Sequence, residues 1–87
     1  MVSQSKINLE GLSPYFKGAI FKVQPRSNMK TGEVFYCIVF HHAIFSKQEW
    51  QFIGNNDVRL IYSNEEYELV QSDVEKLNEW SRKPGEH

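Results

Sequence analysis

Glu33 to His41 reads EVFYCIVFH, and the fold turns on how that stretch is taken. Apolar and aromatic residues occupy both alternating sets of positions, the pattern of a strand covered on both faces. A short apolar run also fits a helix by periodicity, so the β-branched and aromatic enrichment decides for strand. Upstream, Tyr15 to Val23 (YFKGAIFKV) has the same enrichment around Gly18 and is read as the first strand, ended by Pro25, which has no N–H to give to a ladder. Gln24 to Gly32 (QPRSNMKTG) between them collects Pro, Ser, Asn and Gly and is read as a hairpin loop carrying Arg26 and Lys30.

Downstream, Glu49 to Ile53 (EWQFI) alternates, Gly54 to Asp57 has turn composition, and Val58 to Tyr62 (VRLIY) alternates again, which predicts a second hairpin. Ser63-Asn64-Glu65 reads as a further turn. Glu66 to Val70 (EYELV) then reads as a fifth, edge strand with Tyr67 and Leu69 on one face and Glu66 and Glu68 on the other. Ser72-Asp73-Val74-Glu75 matches a capping box, so a helix is expected over 73–82, with Val74, Leu77 and Trp80 on its apolar stripe and Pro84-Gly85 as its stop. A competing reading carries the helix back to Asn64, because Tyr67, Val70, Val74 and Leu77 also recur at helical spacing.

With 87 residues the chain has room for one domain and one small core. Residues 1–14 are a polar lead-in that contributes one turn or strap, 15–82 form the domain, and 83–87 are a tail. The expected fold is mainly β within the α+β class: a small five-stranded antiparallel barrel or half-barrel, SH3-like or OB-like, closed by a C-terminal helix. No diagnostic family motif is present, and there is no internal repeat or low-complexity tract.

Hydrophobic residues make up 40 % and aromatics 14 % of the chain, an ordered composition rather than a disordered one. The single cysteine, Cys37, permits no internal disulfide and lies in an apolar run, as expected in a reducing cytoplasm. The sequence holds no signal peptide, no membrane-length apolar run and no lipidation motif, so a soluble cytoplasmic protein is expected.

Charge is unevenly spread. Residues 1–48 interleave Lys and Arg with rings, and residues 49–87 carry most of the acid, for a formal net charge of −1. That balance excludes a protein that coats nucleic acid indiscriminately, and leaves local surfaces to be weighed. If Val23 pairs with Val34, Lys17, Ala19, Phe21, Val23, Val34, Tyr36, Ile38 and Phe40 share one face. Phe16, Gly18, Ile20, Lys22, Phe35, Cys37, Val39 and His41 then share the other. The first is the better core face. The second offers Phe16 and Phe35 as stacking rings with Lys22, Arg26, Lys30 and His41 as polar partners, the combination that single-strand nucleic-acid binders use.

The alternative surface is the acidic run Glu65, Glu66, Glu68, Asp73, Glu75 and Glu79, of which Glu66, Glu68, Glu75 and Glu79 are candidates for meeting a basic partner protein. Trp50 and Trp80 suit either a core anchor or an interface.

His41 and His42 point to opposite faces of a strand. Cys37 and His41 share a face but are about 13 Å apart at strand spacing. No metal site, cofactor or catalytic residue is therefore expected, and no nucleophile, phosphate-loop or metal motif points to an enzyme. The leading expectation is a non-enzymatic module that binds single-stranded nucleic acid through the first hairpin. The runner-up is a protein-binding modulator of inhibitor, immunity or adaptor type, and an edge strand leaves homodimerisation open.

Overall fold

The computed structural model describes residues 5–42, 48–52 and 60–83. Two nine-residue strands, β1 (Ala19–Ser27) and β2 (Val34–His42), form an antiparallel hairpin with Phe21 opposite Phe40, Val23 opposite Ile38 and Ser27 opposite Val34. Val23 thus pairs four residues further along β2 than the expected Val34. A shift by an even number preserves which side chains share a face, so the predicted division of β1 and β2 holds.

Two sequence-based boundaries move. Tyr15 and Phe16 belong to a single-turn 3-10 helix (Pro14–Phe16) rather than to the strand, its start capped by Ser13 Oγ, which accepts from Tyr15 N at 3.2 Å. β1 continues through Pro25 to Ser27. It is an edge strand, and the backbone groups of Phe21 point outward from it to a helix side chain. Pro25 is an even number of residues away, so its nitrogen also faces outward and no ladder bond is lost. The loop is correspondingly shorter and closes through Asn28 N to Glu33 O at 2.8 Å and Gly32 N to Asn28 O at 2.7 Å. Gly32 sits there at φ +75°, where a side chain would be strained.

On its other edge β2 pairs with two short segments, β3 (Trp50–Gln51) and β4 (Tyr62–Ser63). Phe40 lies opposite Trp50, and Tyr36 lies opposite Tyr62. The segments therefore stand end to end along β2, not side by side as the expected second hairpin requires. The predicted turn Gly54 to Asp57 lies outside the described residues, as do Ile53, Val58 and Arg59. Among the described residues the sheet is antiparallel, open and four-stranded, and barrel closure is not among its pairings.

The expected fifth strand, Glu66–Val70, is helical. A 3-10 turn (Asn64–Glu66) leads into α1 (Tyr67–Arg82), so the competing helical reading is the one that holds. The capping box is Ser63-Asn64-Glu65-Glu66: Ser63 N donates to Glu66 Oε1 at 3.0 Å, and Ser72 lies inside the helix. Val70, Val74 and Leu77 dock on the face of the sheet that carries Phe21, Ile38, Phe40, Phe52 and Tyr62. Leu12 is buried in the same core, with Ile7 and Leu9 packed against it, so the described part of the lead-in packs on the sheet and helix.

Three polar side chains on the inner side of α1 fix this packing. Asn78 Oδ1 accepts from Phe21 N at 2.8 Å and its Nδ2 donates to Phe21 O at 3.0 Å. Ser81 Oγ donates to Ala19 O at 2.6 Å. Together they cover the outer backbone groups of the first half of β1 much as a further strand would. Asp73, fully buried, accepts from Ser5 Oγ at 2.7 Å, Lys6 N at 3.1 Å and Tyr62 Oη at 2.6 Å. Its carboxylate ties the N-terminal segment, β4 and the helix together. At the far end, Lys17 Nζ donates to Trp80 O at 2.7 Å and lies 4.1 Å from the Trp80 ring centroid, so half-buried Trp80 is held against the fold.

Candidate functional site

The face of the hairpin away from α1 carries Ile20, Lys22, Gln24 and Arg26 from β1 and Phe35, Cys37, Val39 and His41 from β2, in cross-strand rows. Lys22 is exposed, with its Nζ 3.3 Å from Glu49 Oε1. Arg26 is exposed, donates from Nη2 to Gln24 Oε1 at 3.1 Å, and lies opposite half-buried Phe35. Lys30 stands at the exposed loop, donating its backbone N–H to Asn28 Oδ1 at 2.9 Å. His41 is half-buried opposite Ile20, and its Nδ1 has no hydrogen-bond partner among the described residues.

Phe16 is not with them. Its ring stands edge-on to Phe40 at 5.0 Å and Phe52 at 5.2 Å between centroids, on the core side of the sheet. The expected pair of stacking rings is therefore divided between the two faces. The chain leaves strand geometry before Ala19, so Phe16 does not follow the strand alternation that placed it beside Phe35. Cys37 and Val39 are buried at 1 % and 5 % exposure on this face, so among its described residues Phe35 is the one partly open phenyl ring, with the half-buried imidazole of His41 at the other end. No cluster of His, Cys, Asp or Glu among the described residues is placed to hold a metal ion. No helix there is long and apolar enough to cross a membrane.

The acidic candidates divide by function in the fold. Glu66 accepts from Ser63 N and, at 3.0 Å, from Lys6 Nζ, and these bonds hold its carboxyl below the usual carboxylate range, the Ser63 amide first and Lys6 next. Glu66 is thus committed to the helix start. Burial, followed by the hydrogen bond and charge of Asp73, pushes the Tyr62 hydroxyl well above the ordinary tyrosine range and keeps it a donor. Glu68, Glu75 and Glu79 are exposed on the outer side of α1, opposite the Val70, Val74, Leu77 stripe, and Glu79 Oε1 lies 3.4 Å from Lys83 Nζ. They form a ridge that begins near Glu65 and Glu66.

At the top of that ridge the structure opens a cleft of about 810 Å³ between the hairpin loop and the helix start. Glu33, Glu65 and Glu66 contribute its carboxylates, and Val34, Phe35 and Ile61 its apolar wall. Val34 is 42 % and Ile61 46 % exposed, large apolar surface left uncovered. Phe35 therefore sits on a charge boundary, with Arg26 on one side and the acidic cleft on the other. The sequence reading misses Val34, Ile61 and Glu33 as lining residues. Their only sequence signal is position at strand ends, which does not distinguish them from core or turn.

Compared with known proteins, the chain matches no protein-family model, no curated protein and no solved structure.

Proposed function

We propose that the protein is a non-enzymatic binding module that docks a basic surface of a larger protein, of inhibitor, immunity or adaptor kind, through the acidic side formed by the helix start and the outer ridge of α1. The observation that carries this reading is the position of Phe35. A phosphate backbone laid across the Phe35 ring, the one partly open phenyl ring among the described residues of the outer face, runs into Glu33, Glu65 and Glu66, where like charge opposes it. A cationic protein surface meets attraction at the same place, with Glu68 and Glu75 steering its approach.

Recognition of single-stranded nucleic acid through Lys22, Arg26, Lys30 and His41 is the competing reading, and the Arg26–Phe35 row favours it. The two are separated by titrating a labelled oligonucleotide at several salt concentrations and, in parallel, capturing partners from the source cells with immobilised protein. The protein-binding reading expects no oligonucleotide binding even at low salt, and specific capture that survives Arg26→Glu with Lys30→Glu but is lost with Glu68→Lys and Glu75→Lys. Oligonucleotide binding that weakens with salt by a few counterions and is lost in the Arg26, Lys30 variant overturns it in favour of the competitor.

A further inference from the structure

We infer that the cleft between the hairpin loop and the start of α1 is a peptide site, and that its occupant is an extended segment of the partner carrying Lys or Arg beside an aliphatic side chain. This deepens the proposed function and rests on it.

The cation preference follows from the lining. Among the described residues three carboxylates and no basic residue line the cleft, and Glu33 and Glu65 make no ion pair. The chain itself demonstrates the chemistry at one edge. Lys6 Nζ donates to Ile61 O at 2.9 Å and to Glu66 Oε1 at 3.0 Å, while lying 4.9 Å from the Tyr62 ring centroid. A lysine of the partner would find the same combination of carboxylate and apolar wall at Glu33 or Glu65.

A peptide backbone is favoured by two amides. Asn28 Oδ1 is already taken by Lys30 N at 2.9 Å, and Asn64 Oδ1 accepts from Tyr36 Oη at 3.3 Å. Both residues line the cleft, and neither Nδ2 donates a hydrogen bond among the described residues, so each has donors to give to carbonyl oxygens of a bound segment. The exposed surfaces of Val34 and Ile61 supply the contact for an aliphatic side chain. A cleft volume of about 810 Å³ is within the range of specific ligand sites.

The test is an amide NMR titration of the intact chain with three probes: a pentapeptide alternating lysine and leucine, the same peptide with glutamate for lysine, and an oligothymidylate. The lysine peptide is expected to shift the amides of Asn28, Glu33 to Phe35 and Ile61 to Glu66. Glu33→Lys with Glu65→Lys should weaken it at least tenfold, and Glu68→Lys with Glu75→Lys by less than threefold. Both pairs of side chains are exposed, and dispersed amide spectra establish that the variants are folded. Shifts confined to the outer ridge of α1 overturn the cleft assignment and leave the protein-binding reading standing. Equal response to the glutamate peptide, or no response to any probe, also overturns it. Cleft shifts with oligothymidylate but not with the lysine peptide overturn both.

Discussion

The two faces of the hairpin differ in what their polar groups are used for. On the inner face Asp73, Asn78 and Ser81 are held at the helix–sheet contact, and each spends its hydrogen-bonding capacity on a residue more than ten positions away in the chain. On the outer face Lys22 and Arg26 are exposed and make only exposed contacts, with Glu49 and Gln24, and Lys30 is exposed in the adjoining loop. Charge buried with partners builds the fold, whereas charge left in water is available to a ligand.

That contrast is testable by substitution, and the largest effect belongs to Asp73. Asp73→Ala strands the hydroxyls of Ser5 and Tyr62 and the amide of Lys6, and should cost about 3 kcal/mol in urea unfolding, with loss of amide protection at Lys6. A cost below about 0.5 kcal/mol, the size of an ordinary surface change, would erase the distinction between the faces.

Asn78→Ala should cost about 1–2 kcal/mol, because it uncovers both backbone groups of Phe21. It also bares an edge strand, so sedimentation at rising concentration should show more self-association than in the parent. An unchanged monomer fraction would mean that Asn78 does not protect the edge.

Glu66→Gln is a smaller change with a definite pH signature. The folded carboxyl lies below its unfolded value, so its contribution is present above the unfolded carboxylate range and disappears as pH falls through the folded value. Parent and variant should differ by about 1 kcal/mol at neutral pH and converge in acid. A constant difference across pH would assign the effect to packing instead.

Arg26→Ala on the outer face should shift stability by no more than about 0.5 kcal/mol. A larger loss would make that face structural too.

Much of the hairpin is legible in the sequence, because strand alternation has a period of two and tolerates an even error in register. That is why Phe21, Ile38 and Phe40 fall on the core side even though Val23 pairs with Ile38 and not Val34. Pro25 misleads because a proline argues against a strand only when its nitrogen faces a partner, and edge position is a tertiary fact. Glu66 to Val70 misleads for another reason: EYELV satisfies a two-residue alternation over five positions, and only Val74 and Leu77, further on, resolve it as one helical stripe. The Ser72 to Glu75 match then concealed the capping box nine residues earlier, at Ser63 to Glu66. The acidic ridge was visible as composition. The cleft was not, since Glu33 and Glu65 come together only when the loop end of the hairpin meets the helix start.

The position of Asp73, Asn78 and Ser81 late in the chain sets an order of assembly. The hairpin pairs residues close in sequence and can form as soon as His42 is available, but the partners of Ser5, Phe21 and Ala19 arrive only with the helix. During synthesis the first half of β1 therefore waits with its edge bare and Tyr62 without an acceptor, and the making of α1 ends that exposure. A chain interrupted between Ser63 and Asp73 would carry a finished hairpin and no means of guarding it.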